Sequence, residues 1–445
     1  MNEAKKPEGL IGIVRGLVTL SPLFFPAYLL RLKVGGVPFT VLEIYTYVLF
    51  GLWVLTLFRP KKFYYLLPLP GYFFWAAILF LGVCLGLLNV PASMLLPDGS
   101  VFHSLPAALG IWKGWVLAPL LYFVVLTQSL TNATQIKTLL RIFVYSAVLV
   151  ALAAYGMSLF GYGITYDLRL AGFYESANYL ALVLAPALLL NIVWVFERQG
   201  GARRVHHFLD TATLTVLLHA LFFTQSYAAI LSVFGALFLY ALYVMLQNRA
   251  RMARAALGTL VLLATLAVIV FSQLHTPKFQ QFLDVRNRSS TTVRFEIYRT
   301  TWHLIEKNWL WGIGPGLYQA NYQTTAPEVL GHAPMEWNIP HPHNLYFAFW
   351  LNAGLLGLLA LLGFVWLAHR QFTYPMLAFW GILLHGFFDT PFWKNDLAMI
   401  FWLILGAIAL LQSYGTHSTS HKKTQARVRP RRRASQRAPA ETPVT

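Results

Sequence analysis

The sequence predicts an all-α, polytopic membrane protein: a bundle of about 12 transmembrane helices with one long periplasmic loop carrying short amphipathic helices. Three observations predict it. Of 445 residues, 57% are hydrophobic and only 11% charged, whereas a soluble domain is about one quarter charged. Apolar stretches near the roughly 20 residues that cross hydrocarbon recur along the chain. The lysines and arginines between them fall on alternate loops, as short cytoplasmic loops do.

In order, the apolar stretches run approximately over 10–30, 38–58, 64–88, 111–128, 138–160, 177–196, 208–224, 226–246, 256–272, 344–368, 372–388 and 396–413. The first carries Arg15, and the pair across 208–246 is divided at the polar run Thr224-Gln225-Ser226-Tyr227. Arg59/Lys61/Lys62, Lys137/Arg141, Arg198/Arg203/Arg204 and Arg249/Arg251/Arg254 alternate with segments 89–110 and 161–176, which are nearly free of Lys and Arg. Lys5/Lys6 and the tail from Lys422 to Arg437 fall on the cytoplasmic side, so the number of spans must be even. The expected organisation is helices one to nine within 1–272, a periplasmic loop domain at 273–343, helices ten to twelve within 344–413, and a basic, disordered cytoplasmic tail at 414–445. The N-terminus shows no small-residue cleavage site, so the first helix is expected to remain. The single Cys84 excludes an internal disulfide. Much of the net charge of +18 sits in the tail, where a polybasic segment beside a membrane attracts anionic lipid rather than nucleic acid.

The long loop has its own pattern. Ser289 to Thr292 offers a helix start, after which Val293, Ile297, Thr301, Leu304 and Ile305 recur at helical spacing. Arg294, Glu296, Arg299 and Glu306 take other faces, and the helix should end before Gly312–Gly316. Glycines 312, 314 and 316 lack the lysine-serine ending of a phosphate loop and fit a sharp turn back to the bilayer. Arg286, Arg288, Arg294 and Arg299 place cations where an anionic ligand would meet them.

The residues fit for chemistry gather at the outer face. In "HPHNLYFAFW", His341 and His343 stand at the mouth of the tenth span. Histidine, titrating near 6.5, serves as a base at neutral pH, and Asn344 can fix the ring or hold a substrate hydroxyl. Arg169 lies in an outer loop, Asn178 just inside the next span, and Lys113 near the outer end of the fourth. A charge within a span is costly and faces a cavity or a partner. His385, Asp389, Lys394 and Asp396 cluster at the mouth of the last two spans. Each has a local alternative: a helix cap for His343 and Asp396, snorkelling for Lys113, a core hydrogen bond for His385. Their concentration on one face favours a cavity. The outer acids Asp284, Glu296, Glu306, Glu328 and Glu336 are scattered, so a reaction without metal or cofactor is expected.

"RLAGFYESANYLA", "RFEIYRTTWHLIEKNWLWGIGPGLYQANY" and "HPHNLYFAFWLNAGLLGLL" together resemble the O-antigen ligase and polymerase superfamily, over roughly residues 110–410. The resemblance implies transfer of a glycan from an undecaprenyl-diphosphate carrier to an acceptor hydroxyl on a glycan or glycolipid, at the outer face of a bacterial inner membrane. It implies His343 as catalytic base with Asn344 beside it, and Arg294 gripping the diphosphate. Arg169, Gly172 and Asn178 match a second family segment, and Lys113 and Arg288 join the candidate diphosphate cations. The chain departs from the family at Thr224-Gln225-Ser226-Tyr227-Ala228, where relatives often carry Ser-Arg-Gly, and at Asn352, where many carry an acid. Tyr227, His341 and Asp389 are expected to line the substrate cavity. A polymerase and a protein oligosaccharyltransferase would use the same donor and differ in the acceptor. A transporter, the rival from another class, should show internal repeats and broken helices at the midplane, and no repeat is visible here.

Overall fold

The computed structural model describes residues 9–34, 37–58, 69–196, 204–247, 252–276, 279–280 and 289–428. Arg286, Arg288, most of the basic loop residues and the tail beyond Val428 lie outside the described residues. Helix α1 (Gly9–Leu20) continues as a 3-10 segment, Ser21–Leu29, into a hairpin of β1 (Arg31–Val34) and β2 (Val37–Thr40). There follow α2 (Val41–Leu57), α3 (Pro70–Leu88) and a two-residue hairpin, β3 (Met94–Leu95) with β4 (Val101–Phe102). Helix α4 (Ser104–Ile111) runs through a π-helical turn, Trp112–Leu117, into α5 (Ala118–Ser129). Next come α6 (Ala133–Leu159), α7 (Ala177–Phe196), α8 (Arg204–Phe223), α9 (Tyr227–Gln247) and α10 (Met252–Gln273). The chain closes with α11 (Ser290–Lys307), α12 (Tyr318–Leu330), α13 (Leu345–His369), α14 (Met376–His385) and α15 (Asn395–Val428).

Among the described residues, nine helices are long and apolar enough to cross a membrane. Three shorter apolar helices, Val41–Leu57, His207–Phe223 and Met376–His385, stand where the other three spans were expected. Two expectations shift. The second span begins after Thr40, because residues 37–40 pair as a strand and the Thr40 hydroxyl caps α2 by accepting from Glu43 N at 3.2 Å. The fourth helical run starts earlier than expected, at Ser104. Asn395–Tyr414 is the most enclosed candidate span, 78% buried, whereas Ala255–Gln273 is 0% buried and lies at the rim.

The glycine turn fixes how α11 meets α13. Helix α13 is broken at Gly354, whose φ is +62°. The turn after α11 fits against that break: Ile313 N and Gly314 N both donate to Leu351 O, at 2.8 and 3.2 Å, and Leu355 N donates to Leu310 O at 3.1 Å. The kink frees the carbonyls and amides that a straight helix would use itself. A Cβ at Gly354 would lie 2.1 Å from Leu310 O, and one at Gly312 2.3 Å from Leu351 O. The turn thus ties α11 to the helix that carries His343 at its head. At the kink itself, a Cβ at Gly82 of α3 would lie 2.6 Å from Ala353 O, the close approach that small residues allow between packed apolar helices.

Candidate active site

Helix α11 begins with a capping box: the Ser289 hydroxyl accepts from Thr292 N at 3.1 Å, and Thr292 Oγ1 accepts from Ser289 N at 2.9 Å. Ile297, Thr301, Leu304 and Ile305 are buried, as their spacing requires. Glu296, assigned by sequence to another face, is buried too and accepts from Met335 N at 2.9 Å. Arg294 and Tyr298 are one turn apart on this helix, hence neighbours on one face.

That face meets two other segments. A cavity of about 130 Å³ is lined by Arg294 and Ser290 of α11, by Arg169 and Asn178, and by Gln225 and Ser226 of the turn before α9 with Tyr227 and Ala228 at that helix's start. The Arg169 loop is held in place by Leu170 N donating to Phe223 O at 2.9 Å, and by Ala171 N and Gly172 N donating to Gly163 O at 2.8 and 2.9 Å. Arg169 donates through Nε to Asp167 Oδ2 at 2.8 Å and through Nη1 to Asn178 Oδ1 at 3.3 Å. Its guanidinium is therefore oriented rather than free. Arg294 Nη1 makes a long contact with Ser290 O at 3.4 Å. Arg294 Nε and Ser226 Oγ are buried with no hydrogen-bond partner among the described residues. Buried donors left unpaired are costly, and a guanidinium N–H and a hydroxyl left open beside a second guanidinium suit an anion with several acceptor oxygens. Tyr227 packs its ring on Phe279 at 5.9 Å and shares its hydroxyl with Thr276.

The histidines lie alongside. Tyr298 Oη donates toward His343 O at 2.9 Å and Phe387 O at 2.7 Å. His343 Nδ1 is 3.5 Å from Asp389 Oδ1, and His341 Nδ1 is 4.0 Å from the same oxygen. The two imidazole centroids are 4.4 Å apart. His341 Nε2 meets Tyr179 Oη at 2.9 Å, so adjacent residues of α7 reach both groups, Asn178 to Arg169 and Tyr179 to His341. Burial, with the nearby His343, pushes His341 down to about 3, so it is neutral at physiological pH. Burial alone would raise Asp389, but the hydrogen bond and charge of His343, then His341 and His385, hold it well below the usual carboxylate range. Asp389 thus presents its carboxylate to His343 Nδ1 at 3.5 Å, and a proton held on that nitrogen would leave Nε2 to act as a base.

Backbone strain marks the same place. The non-glycine residues at positive φ among the described residues are Leu168 (+60°), Gln225 (+46°) and His343 (+47°). Leu168 precedes Arg169, Gln225 lines the arginine cavity, and His343 carries the imidazole. Each costs about 1–3 kcal/mol, and such strain concentrates at functional sites. At His343 it is sustained by Leu345 N donating to Gly386 O at 2.7 Å, which pins the head of α13 to the end of α14.

Of the residues singled out by sequence, the structure brings together Arg294, Arg169, Asn178 and Tyr227 around the cavity, with His343, His341 and Asp389 beside it. Asn344 adjoins them, but its amide is engaged otherwise than expected. Oδ1 caps α13 by accepting from Phe347 N at 3.0 Å, and Nδ2 donates to Phe387 O at 3.3 Å. The contact on the imidazole is made by Asp389. Lys113 stands apart: it pairs with Glu43, donates to Pro38 O at 2.7 Å and lies 3.7 Å over the Phe39 ring. Arg288 lies outside the described residues. Sequence reasoning missed Asp167, Tyr179, Ser226 and Tyr298; only Tyr298, four residues after Arg294, had a visible signal. It also read the acids as too scattered for a metal, yet the ligand atoms of His341, His343 and Asp389 all lie within 4.8 Å of one another, a donor set that suits zinc.

Residues 212–362 match a family model described as O-antigen ligase, which supports the O-antigen ligase superfamily. The matched region contains Tyr227, Arg294, His343 and the Gly312–Gly316 turn, and excludes Lys113, Arg169, Asn178 and Asp389. No curated protein matches the chain.

Proposed function

Starting from this O-antigen ligase region, we propose that the chain is a multi-pass glycosyltransferase that moves a glycan from undecaprenyl diphosphate to an acceptor sugar hydroxyl, with inversion, at the outer face of the bacterial inner membrane. One observation supports this above the others: two guanidiniums line a single cavity beside a histidine backed by a buried carboxylate. Arg294 and Arg169 neutralise the diphosphate as it leaves, helped by Ser226 and Asn178. Arginine suits this task because it stays charged and presents paired donors. His343 Nε2 removes the proton from the attacking hydroxyl, and Asp389 stabilises the imidazolium that forms. The diphosphate departs without a general acid. The two guanidiniums supply at the diphosphate the charge stabilisation that a metal would otherwise bring, so the proposed reaction needs no metal there. A polymerase or a protein oligosaccharyltransferase would share this donor half and differ in what reaches His343.

The test is transfer by protein reconstituted with undecaprenyl-diphosphate glycan and separate candidate acceptors, in the presence of a chelator. His343→Ala should lower the rate by about 10²–10⁴, and Arg294→Ala by about 10²–10³. Asp389→Asn should fall in the range of the histidine variant, with the fold intact by circular dichroism. Full transfer by correctly folded His343→Ala would remove the base assignment, and loss of activity on chelation would remove the metal-free one.

A further inference from the structure

The arginine cavity occupies one flank of the histidine cluster; a second cavity, of about 240 Å³, occupies another. His341 lines it, as do Trp115, Tyr318, Trp393, Gln319 and Gln323. Its volume falls just under the roughly 300–1,000 Å³ of drug-sized ligand sites, so it admits about one ring rather than a chain of them.

The lining chemistry narrows the occupant. No Lys, Arg, Asp or Glu lines the cavity, and the Nε2 of its imidazole is engaged with Tyr179 Oη at 2.9 Å. An anionic group entering here would meet no opposing charge. An acyl chain fits no better, because several polar groups would lose access to water without gaining a partner. Gln319 makes no side-chain hydrogen bond among the described residues. Gln323 commits its Nε2 to Trp337 O at 3.1 Å and to Asn338 Oδ1 at 3.4 Å, which leaves its Oε1 to accept. Trp393 Nε1 is buried without a partner among the described residues. The Asn352 amide is engaged, donating to Ala348 O at 2.7 Å and accepting from Gly316 N at 3.3 Å, and so closes one wall. What remains is a set of aromatic rings beside two amides and an indole N–H. A pyranose presents an apolar C–H face to rings and a rim of hydroxyls to amides.

We infer that this cavity is a subsite for one uncharged sugar ring of the acceptor, with Gln319, Gln323 and Trp393 as its specificity determinants. The acceptor assignment rests on the proposed transfer reaction. The cavity meets the histidine cluster through His341, 4.4 Å centroid to centroid from His343, whereas the diphosphate cations line the other cavity. An acceptor ring seated here would approach the histidine cluster from the His341 side and the diphosphate would approach it from the arginine side, a separation that suits an inverting displacement.

The test has two arms on the full-length protein in detergent. In the first, saturation-transfer NMR is run with a panel of neutral methyl glycosides and with methyl glucuronide as a charged control. Wild type and Arg294→Ala should both saturate at least one neutral glycoside; Gln319→Trp, which fills the cavity, should not, and the glucuronide should stay silent. Binding that survives Gln319→Trp, or is lost in Arg294→Ala alone, overturns the site. In the second arm, Gln319→Ala and Trp393→Phe, which keeps an aromatic ring and removes the N–H, should each raise the acceptor KM about three- to tenfold with donor KM unchanged. A rise in donor KM alone would give the ring to the donor and overturn the acceptor assignment. Because the first arm needs no turnover, sugar binding without any transfer would leave the subsite standing and refute only the transferase reading.

Discussion

A neutral histidine and an ionised carboxylate, 4.0 Å apart, make the candidate site sensitive to acid in two stages. Asp389 has a folded pKa below its unfolded value, so its contribution to stability is complete above about pH 3.9 and is lost as the pH falls further. His341 acts earlier. Its folded value of about 3 lies below its unfolded value of 6.5, so the unfolded chain takes up that proton first, and stability declines as the pH drops from 6.5 toward 3. The thermal midpoint of the detergent-solubilised protein should therefore fall between about pH 6.5 and pH 4. His341→Gln, which takes up no proton there, should flatten that decline; an unchanged slope would contradict the burial of a neutral imidazole. These roles were only half legible in the sequence. His343 was visible as a titratable ring heading an apolar run and Arg294 as a cation in a patterned helix, but their roles came from the family resemblance. The Asp389 contact did not, since it depends on the end of α14 meeting the start of α13 through Leu345 N and Gly386 O. Lys113 misled for a related reason: its partner, Glu43, lies on another helix, and a charge inside a span looks alike whether it faces a ligand or an ion pair.

At the scale of elements, the site depends on one joint. Helix α11 presents Arg294 and Tyr298, α13 presents His343, and the Gly312–Gly316 turn fastens one to the other at the Gly354 kink. Gly354→Ala should part them, because the residue has φ of +62° and its Cβ would lie 2.1 Å from Leu310 O. The backbone conformation alone costs about 1–3 kcal/mol, and the clash adds to it. Both transfer activity and the thermal midpoint should fall. Gly258→Ala is the matched control, since nothing lies within 4 Å of its Cβ and a helix gains up to about 1 kcal/mol from alanine. Equal behaviour of the two variants would mean that the joint does not hold the site. The sequence revealed both halves of this joint, a helix with a capped start and a stretch that breaks regular structure. It did not reveal that the break in the loop is matched by a break in the span, because hydropathy reads Leu351–Leu355 as uninterrupted helix. The hairpins were equally hidden: β3 and β4 are two residues each, too short to show alternation.

For the whole molecule, charge and geometry give the same polarity. Arg141, in the third turn of α6, pairs with Asp210 near the start of α8 at 3.2 Å, whereas Arg169 and the Gln225 turn lie beyond the far ends of those two helices. The basic pair and the site are therefore at opposite ends of the bundle. If short basic loops stay inside, the site faces outward, where a carrier-linked glycan and its acceptor would meet. This can be tested by accessibility, since the lone Cys84 can be replaced by serine and single cysteines placed at each end. Asp98 lies exposed between β3 and β4, and Thr134 is exposed in the first turn of α6. In spheroplasts, a membrane-impermeant maleimide should label Asp98→Cys directly and Thr134→Cys only after permeabilisation. The reverse pattern would place His343 on the cytoplasmic side and remove the outer-face reaction, even if both guanidiniums and the imidazole proved essential. Labelling of both positions before permeabilisation would mean that the α4–α5 run does not carry the chain across the membrane, and the count of about 12 spans would fall with it.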